Sequence, residues 1–339
     1  IPLKVWALGA TGLSLFLAYS VMGQQPRKVD DAALRNAGKS GEEWLSYGLT
    51  PGETRYSPLN QINATNASRL GLAWSFEITY GGGGNQEATP LYSNGTLYSV
   101  TNWSIVYALD ARTGKEKWHW DPEVNQDKVR SKICCGVVHR GVAIYDGKII
   151  APIIDGRLVA LDINTGKPVW ETRVSYTQDN YTLTMAPRVA KGKVIIGAAG
   201  SEYPVRGFIA GFDAQTGRQA WKFYTVPGDP SKPFEDDAMK MAAATWDQAA
   251  LKKYNGVGGS VWDSIAYDPD ANLIYFGTGN AGPWDPRGRP GDNLYTASVL
   301  AIRPKTGEIV WHRQLVPNEM FDLDAVWEWI LADIDVKGV

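Results

Sequence analysis

Two residues in the stretch 258–284 do not suit plain β-structure. Trp262 follows the pair Gly258-Gly259, and Asn280 stands within the run Gly-Thr-Gly-Asn. An indole beside glycines can lie flat over a planar group, and small neighbours let an amide oxygen approach a ligand closely. A flat ring near a hard oxygen ligand suggests a planar cofactor together with a metal ion. Taken singly, each residue has a simpler interpretation, a packing tryptophan and a turn asparagine.

The two cysteines of the chain are adjacent, Cys134 and Cys135. Metal sites need spaced thiolates, so this pair does not predict a zinc site, and His119, His139 and His312 lie too far apart in sequence to suggest one. Two inert buried thiols are one interpretation of the pair. The absence of any other thiol, together with the export signal described below, favours a vicinal disulfide. Its eight-membered ring is outside ordinary disulfide geometry, which is typical of functional sites.

The residues around Trp262 and Asn280 predict a β-hairpin. SIAYDP and NLIYFGTG read as two strands, joined by a turn at residues 268–271. The composition agrees, because 14 Trp and 16 Tyr beside 36 Gly and 19 Pro favour an all-β protein of many short strands. The net charge is −2 and no basic stripe occurs, which argues against nucleic acid as a partner.

Four segments of the chain share one template: a strand ending near Asp (Arg-Pro in the last copy), a turn closed by Thr-Gly, and a return strand ending in Trp. They are ALDARTGKEKW (108–118), ALDINTGKPVW (160–170), GFDAQTGRQAW (211–221) and AIRPKTGEIVW (301–311). The Gly can adopt positive φ, and the Asp can accept hydrogen bonds from the turn amides. Each repeat also contains an earlier hairpin, turning at residues 94–95, 146–147, 191–192 and 270–271. Four strands per repeat indicate a β-propeller blade, and a solenoid is the competing architecture.

The repeats and their intervals predict the organisation of the chain. Residues 24–74 are a polar, irregular lead-in, and residues 75–339 hold about four blades. The long third interval contains an insertion near 222–258, where PFEDDAMKMAAATW looks helical with acidic residues at its start. Because a propeller must close its ring, we expect an incomplete propeller.

The first 23 residues resemble a secretory signal peptide. Lys4 supplies the positive charge, residues 5–21 the apolar run, and Val21-Met22-Gly23 a small-residue cleavage site. The run is short for a membrane span, and no cysteine follows it that could carry a lipid. We therefore expect a periplasmic protein with no membrane span in the mature chain, folded in an oxidising compartment.

Several rare features now occur together in one order. The Trp-terminated repeats, Cys134-Cys135, GAAGSEYPVRG (197–207), the 258–284 hairpin and FDLDA (321–325) resemble the pyrroloquinoline quinone (PQQ)-dependent alcohol dehydrogenases of the methanol and ethanol type. The resemblance extends from about residue 45 to the end. It implies an eight-bladed propeller, of which about the first half is present, holding PQQ and Ca²⁺ or a lanthanide ion. The implied activity is oxidation of a small primary alcohol to an aldehyde, with cytochrome c as electron acceptor.

The resemblance also implies a role for each site residue. The Cys134–Cys135 ring would cover one face of PQQ and Trp262 the other, and Asp322 would be the catalytic base. The further cofactor contacts would be Glu87, Arg140, Thr184, Gly200, Ser201, Glu202 and Ser260. The metal ligands would be Glu202, Asn280, Asp322 and Asp324. These groups suit the ligands, because PQQ carries three carboxylates that an Arg can bind, and a hard cation takes carboxylate and amide oxygens. Alternatively, Glu202 is a surface carboxylate paired with Arg206, and Thr184 is an ordinary strand residue.

Asp324 bears on the choice of metal. It lies two residues after Asp322, so on an extended strand both side chains would share a face. In the family that the sequence resembles, lanthanide enzymes have an Asp at this position and calcium enzymes a small or neutral residue. A trivalent ion offsets a third carboxylate, whereas Ca²⁺ leaves the cluster net negative. Alternatively, a bend at Leu323 turns Asp324 towards solvent or an Arg.

The sequence departs from the family pattern at two positions and leaves one rival class. Phe321 stands where Trp is usual, and Ser260 where Thr is common. The rival is a non-catalytic propeller scaffold of the outer-membrane assembly lipoprotein type, which needs a lipid-bearing cysteine and has no use for a Cys pair. Glucose-type quinoproteins begin with membrane spans, which are not seen here. GGGG (81–84) lacks a βαβ context, so NAD is not predicted.

Overall fold

The computed structural model describes residues 28–79 and 86–336. The expected signal peptide at 1–23 and the GGGG run at 81–84 lie outside these residues. Within the described residues, sixteen strands form four antiparallel sheets, each built from four consecutive strands. The four sheets correspond to the four sequence repeats, which confirms the β-propeller blades predicted from them.

The strands are numbered in chain order. Blade 1 contains β1 (Leu91–Ser93), β2 (Thr96–Val100), β3 (Val106–Asp110) and β4 (Glu116–Trp120). Blade 2 contains β5 (Ala143–Tyr145), β6 (Lys148–Pro152), β7 (Arg157–Asp162) and β8 (Pro168–Arg173). Blade 3 contains β9 (Arg188–Ala190), β10 (Lys193–Gly197), β11 (Phe208–Asp213) and β12 (Gln219–Tyr224). Blade 4 contains β13 (Ile265–Asp268), β14 (Leu273–Gly277), β15 (Ser298–Ile302) and β16 (Ile309–Gln314).

The middle strands of the blades are buried on both faces. In β7 and β11, four and five consecutive residues are buried, which matches their apolar runs LVAL and FIAGF. A strand covered on both sides carries a continuous apolar run rather than alternation. The outermost strand β8 instead has no fully buried residue and alternates between exposed and half-buried positions at its end. The first strand of blade 3, β9, contacts the first strands of blades 2 and 4, β5 and β13. These three blades therefore have their first strands on the inside and their fourth strands on the outside.

The repeat tryptophans tie each blade to the next. The indole Nε1 of Trp118, Trp170 and Trp221 donates to a carbonyl in the Thr-Gly turn of the following repeat, at 3.1, 3.2 and 3.0 Å. Each ring also covers the turn glycine, so a Cβ there would lie 2.4 to 2.6 Å from a ring atom. Trp74 of the lead-in makes the same contact with the first repeat, at 3.1 Å from the carbonyl oxygen of Ala111. The recurring Trp-Gly pair is therefore the contact that docks blade on blade.

The turn chemistry follows the repeat template. In the first three repeats the Asp accepts hydrogen bonds from both the backbone N–H and the hydroxyl of the Thr, for example 2.9 and 2.8 Å between Asp110 and Thr113. The turn glycines have φ between 69° and 73°. The fourth repeat has Arg303-Pro304 in place of this Asp motif and keeps the turn through backbone bonds.

A matched pair of glycine variants tests the docking contact. Gly166 and Gly95 have similar φ values, 69° and 74°, so Ala at either position pays a similar left-handed cost of ~1–2 kcal/mol. A Cβ at Gly166 would meet the Trp118 ring at 2.6 Å, whereas nothing lies within 4 Å at Gly95. We expect Gly166→Ala to lose a further ~1–3 kcal/mol of unfolding free energy in denaturant titrations. Equal losses in the two variants would contradict the docking role.

The lead-in contributes to the core although little of it is regular. The helix α1 (Asp31–Arg35) is its one α-helix among the described residues. Val29, Ala33 and Leu45 are buried in one cluster with blades 1 and 2. A buried ion pair joins Glu53 to Arg188 of β9, with N–O distances of 2.7 and 3.0 Å. The lead-in is thus anchored at the inner strands.

The segment 222–258 contains two of the helices. They are α3 (Asp237–Ala243) and α4 (Gln248–Tyr254), and α2 (Gln126–Arg130) lies earlier, between blades 1 and 2. Asp236 and Asp247 cap α3 and α4, each accepting a backbone N–H at 2.8 Å, as the acidic start of the segment favours. Short 3-10 turns occupy Ala67–Arg69, Thr177–Asp179 and Pro286–Gly288. No helix in the described ranges has the length and apolar character needed to cross a bilayer. The domain boundaries at 24–74 and 75–339 stay a prediction.

Candidate functional site

The predicted site residues all lie at one end of the blades. In an antiparallel four-stranded sheet, the connection between the second and third strands and the connection to the next sheet share one end. The tight turns, Asn94-Gly95 and the Thr-Gly turns among them, occupy the other end. The connection 121–142 carries Cys134, Cys135 and Arg140; 174–187 carries Thr184; 225–264 carries Ser260 and Trp262; 198–207 carries Gly200, Ser201 and Glu202; 278–297 carries Asn280. Glu87 precedes β1, and Asp322 and Asp324 follow β16.

A cavity opens among these connections. The space inside it is about 650 Å³ with its open mouth included. The predicted residues that line it are Glu87, Cys134, Cys135, Arg140, Thr184, Gly200, Glu202 and Trp262. A second cavity of about 730 Å³, between α1 and the inner strands, holds none of the predicted site residues. The residues predicted from the sequence therefore identify the first cavity, and not the second, as the candidate site.

A disulfide and an indole ring line the cavity. Cys134 and Cys135 form a vicinal disulfide, as the sequence predicts. Trp262 is half-buried, its backbone carbonyl accepts from the Thr184 hydroxyl at 3.2 Å, and its Nε1 donates to Asp324 at 3.0 Å. Thr184 lies in a connection and not in a strand, so the ordinary strand interpretation of this residue is wrong. The indole is fixed at both its backbone and its ring, which suits a surface for a planar ligand.

Arg140 supplies positive charge to the cavity. Its guanidinium lies 3.3 Å from Glu87 and 3.0 Å from Asp263, and its Cζ stands 4.9 Å from the centre of the Trp262 ring. Burial raises the pKa of Asp263, and the charge of Arg140 opposes that rise. Sequence reasoning missed Asp263, although its position directly after Trp262 was a usable signal. An Arg held this way can bind a carboxylate ligand in a bidentate manner.

His139 anchors the backbone beside Arg140. It is 1% exposed, its Nε2 lies 2.6 Å from the carbonyl oxygen of Pro152, and its Nδ1 accepts from the N–H of Gly141 at 3.2 Å. Both contacts together require the neutral ring with the proton on Nε2. Burial lowers the pKa of His139 to about 4, and the nearby charge of Arg140 also lowers it, against the carbonyl of Pro152.

This histidine makes the fold acid-sensitive. Since the pKa of His139 is about 4 in the folded chain against an ordinary value of 6.5, the unfolded chain binds the proton first as the pH falls. Stability present above pH 6.5 is lost progressively down to pH 4, by about 3 kcal/mol. We expect His139→Gln, which keeps a donor and an acceptor, to flatten this slope in denaturant titrations at several pH values. The exposed His119→Gln is the control, and an unchanged slope in His139→Gln would contradict the assignment.

Asn280 presents an unsatisfied oxygen. The residue is fully buried, its Nδ2 donates to the carbonyl oxygen of Ala281 at 3.1 Å, and its Oδ1 has no hydrogen-bond partner among the described residues. A buried amide oxygen without a donor costs free energy, so such atoms call for a ligand. Gly279 beside it allows the approach, since a Cβ there would lie 2.8 Å from Asp324 and 3.0 Å from the Ser201 hydroxyl.

Three carboxylates in this part of the site, Asp324, Asp322 and Glu202, influence one another electrostatically. Asp324 accepts the backbone N–H of Asn280 at 2.5 Å and the indole N–H of Trp262. Burial raises the pKa of Asp324 to about 7, the charges of Asp322 and Glu202 add to the rise, and these two hydrogen bonds oppose it. Burial also raises the pKa of Asp322, followed by the charges of Glu202 and Glu319. The cluster is an acidic site whose mutual repulsion a cation would relieve.

The donor set fits a hard cation, although its members are not gathered on one point. No three His, Cys, Asp or Glu side chains in the described part of the chain are close enough to hold a metal ion together. The unpartnered Oδ1 of Asn280 supplies the amide donor, and Glu202 and Asp322 make no hydrogen bond or ion pair to described residues. Oxygen donors of this kind are those that Ca²⁺ and larger trivalent ions bind.

The alternative pairing of Glu202 and the extended-strand expectation for Asp322 and Asp324 are both wrong. Glu202 is not paired with Arg206, which instead binds Glu235 at 2.6 and 2.9 Å. Asp322 and Asp324 do not lie on an extended strand, because both have left-handed φ, 58° and 46°. Asp324 nevertheless turns into the site, towards Trp262 and Asn280, and not towards solvent or an Arg.

The remaining predicted residues are Gly200, Ser201 and Ser260, and the Ser201 hydroxyl lies near Gly279, as Asp324 does. The hydroxyls of Ser201 and Ser260 are 2.5 Å apart, and both residues are buried. Gly200 has φ 138°, and a Cβ there would lie 2.8 Å from Val205. Sequence reasoning missed Lys132 and Tyr203, which line the cavity. Lys132 lies two residues before the disulfide, and its Nζ donates to Asn180 at 2.6 Å.

Fold and site together define a quinoprotein class. Residues 44–339 match the family model of the PQQ glucose/ethanol/alcohol dehydrogenase β-propeller domain, and since this is most of the chain, the chain belongs to that family.

Two known members of the family are similar to this chain in sequence. The chain is 49% identical over 313 residues to quinohemoprotein alcohol dehydrogenase ADH IIB of Pseudomonas putida, covering 91% of this chain and 45% of the relative. It is 45% identical to 1-butanol dehydrogenase (cytochrome c) of Thauera butanivorans, covering 88% of this chain and 43% of the relative.

Two solved structures superpose well on this chain. The crystal structure of quinohemoprotein alcohol dehydrogenase from Comamonas testosteroni superposes with a TM-score of 0.86 at 46% identity, covering 91% of this chain and 46% of that one. A europium-containing methanol dehydrogenase has a TM-score of 0.82 at 36% identity, covering 91% and 55%. The chain spans about half the length of the relatives it matches. Four blades over that share agree with an eight-bladed propeller of which about the first half is present.

Proposed function

We propose that the full-length protein oxidises a small primary alcohol to an aldehyde with PQQ and a bound metal ion. The observation that carries this proposal is the buried Asn280 Oδ1, unpartnered among the described residues. Asp324 accepts the backbone N–H of Asn280 and also the indole N–H of Trp262, which lines the cavity together with the Cys134–Cys135 disulfide. Family membership supports the cofactor, and the names of the relatives support the alcohol as substrate.

The residues of this chain would bind the cofactor from three sides. The Cys134–Cys135 disulfide and Trp262 would cover its two faces, because both line the same cavity. Arg140 would bind carboxylates at the rim, exchanging its contact with Glu87 for the ligand. The cofactor hydrogen bonds would come from Glu87, Thr184, Gly200, Ser201, Glu202 and Ser260. Bound there, PQQ supplies the oxidising power and the metal ion acts as a Lewis acid.

Asp322 would take the proton of the alcohol. Its side chain is exposed, and its carboxylate has no hydrogen-bond partner among the described residues. The raised pKa of Asp322, caused by burial and by the charges of Glu202 and Glu319, makes it a stronger base than an isolated Asp. The buried neighbours Ser201 and Ser260 would hold the floor of the site and exclude water.

Glu202, Asn280, Asp322 and Asp324 would hold the metal. We propose a lanthanide ion in preference to Ca²⁺, because Asp324 adds a third carboxylate that a trivalent charge can balance. Its half-buried position and its raised pKa support this choice. A solved relative at 36% identity is described as a europium-containing methanol dehydrogenase, which supports the same class of ion.

The electron acceptor and compartment follow from the relatives and the sequence. A cytochrome c would receive the electrons, since the relative from Thauera butanivorans is named as a cytochrome c-linked 1-butanol dehydrogenase. The signal-like sequence at 1–23 would direct the chain to the periplasm, without a membrane span in the mature protein.

The test is alcohol oxidation by the full-length protein reconstituted with PQQ and either Ca²⁺ or La³⁺. We expect reduction of an artificial dye and of cytochrome c that requires PQQ, metal and alcohol together. Activity that persists without PQQ, or no oxidation of any primary alcohol by the fully loaded protein, would contradict the proposal.

A further inference from the structure

A buried glutamate lies directly before the segment that carries Asp322. Glu319 is 1% exposed, and its Oε1 accepts the backbone N–H of Phe321 and, at 3.2 Å, that of Leu323. These two amides flank Asp322 on either side. Its second carboxylate oxygen is buried without a hydrogen-bond partner among the described residues. The carboxylate of Glu319 therefore binds the backbone on both sides of Asp322.

This contact accounts for the unusual backbone at Asp322. Its φ is 58°, in the left-handed region that disfavours a non-glycine residue. In an extended strand, two N–H groups that lie two residues apart point to the same side but are roughly 6.5–7 Å from each other, too far apart to share one acceptor oxygen. The left-handed residue between them lets both reach one oxygen of Glu319. Charge-assisted hydrogen bonds of this kind are strong enough to hold a strained turn.

A second buried charge ties Glu319 to the Asn280 connection. Arg289 is fully buried and donates to the backbone carbonyl of Glu319. It also donates to the carbonyl oxygens of Pro283 and Trp284, at 2.5 and 3.1 Å. The connection 278–297, which carries Asn280, is thus fastened to the turn that carries Asp322.

We propose that Glu319 is a positioning residue, which sets the location of the Asp322 carboxylate through the two flanking amides. The proposal rests on the proposed function, in which Asp322 is the base. Misplacement of a reacting group by about 1 Å can cost roughly 10²-fold in rate. Removal of the acceptor should therefore lower kcat while PQQ binding and KM change little.

The test compares three variants of the full-length, PQQ- and metal-loaded protein. We expect Glu319→Ala to lose roughly 10²-fold in kcat and to speed deuterium exchange at the amides of residues 321 and 323. Glu319→Gln keeps an oxygen acceptor, so it should restore slow exchange and most of the turnover. Glu308→Ala, on an exposed turn of blade 4, is the control and should match the parent in both measurements. Should Glu319→Ala not fold, Glu319→Asp, one methylene shorter, takes its place with the same expected losses.

Two outcomes overturn the proposal. A parent-like kcat in Glu319→Ala would show that the amide contacts do not place Asp322. A Glu319→Gln variant as slow as Glu319→Ala would show that charge, and not the acceptor, is what matters. Asp322→Asn in the same assay distinguishes failure of the Glu319 proposal from failure of the base assignment on which it rests, because full activity of Asp322→Asn would show that Asp322 is not the base.

Discussion

Replacement of Asp322 by Asn in the full-length protein is expected to lower kcat by roughly 10²–10⁴-fold while PQQ stays bound. The substitution keeps the size of the side chain and removes the base, so the loss should fall on the chemical step. The Asp322 carboxylate has no hydrogen-bond partner among the described residues, and the folded state should therefore lose little stability. Steady-state kinetics and the absorbance of bound PQQ, measured on one preparation, check both halves of the expectation.

Asp292→Asn is the matched control for this variant. Asp292 is also exposed, and its contacts to Gln314 and Asn318 use its backbone carbonyl, which the substitution leaves in place. It should keep the kcat of the parent. If Asp322→Asn turned over at the parent rate, the base would have to be another group, and if it lost PQQ instead, Asp322 would be chiefly a metal ligand.

The second large effect is expected at Asp324. We expect Asp324→Ala to weaken La³⁺ binding by at least about 10–100-fold, the loss seen when even an outer-shell partner of a metal is removed. Binding of Ca²⁺ should change less, because loss of one carboxylate leaves a charge that a divalent ion balances better. Isothermal titration of the full-length apoprotein with each ion, in the presence of PQQ, measures the difference.

Trp262→Phe is the control that distinguishes direct binding of the metal ion by Asp324 from an effect of the hydrogen bond between Asp324 and Trp262. It keeps an aromatic ring and removes the Nε1–H that donates to Asp324 at 3.0 Å. If Asp324 binds the ion directly, Trp262→Phe should cost much less La³⁺ affinity than Asp324→Ala. Tighter binding of Ca²⁺ than of La³⁺ by the parent, or unaltered La³⁺ affinity in Asp324→Ala, would defeat the lanthanide assignment.

The propeller was readable from the sequence because its determinants are local. A Thr-Gly turn and the Asp that caps it are four residues apart, as in Asp110 to Gly114, and the Trp follows on the next strand. The sequence could not reveal which turn each tryptophan side chain contacts. Its hydrogen bond crosses to a different blade, for example 45 residues on from Trp118 to Ile163, and such distances leave no periodic signal.

Site residues could be predicted from the sequence where a rare residue type or pairing occurred. The adjacent cysteines and the Trp beside a glycine pair carried their own chemistry, and both line the cavity. Asp263 and Lys132 were missed because a single charged residue in a connection has many ordinary explanations. The geometry at 322–324 was misjudged because alternation holds only on a strand, whereas the amide acceptor Glu319 imposes a turn there.

The central claim is that this cavity binds PQQ together with a metal ion. The most direct measurement is equilibrium uptake of PQQ by the full-length apoprotein, followed by absorbance with and without La³⁺ or Ca²⁺. We predict saturable uptake of a single PQQ per chain that depends on the metal and is lost in Trp262→Ala. Uptake that is the same without metal, or no uptake with either ion, would contradict the claim.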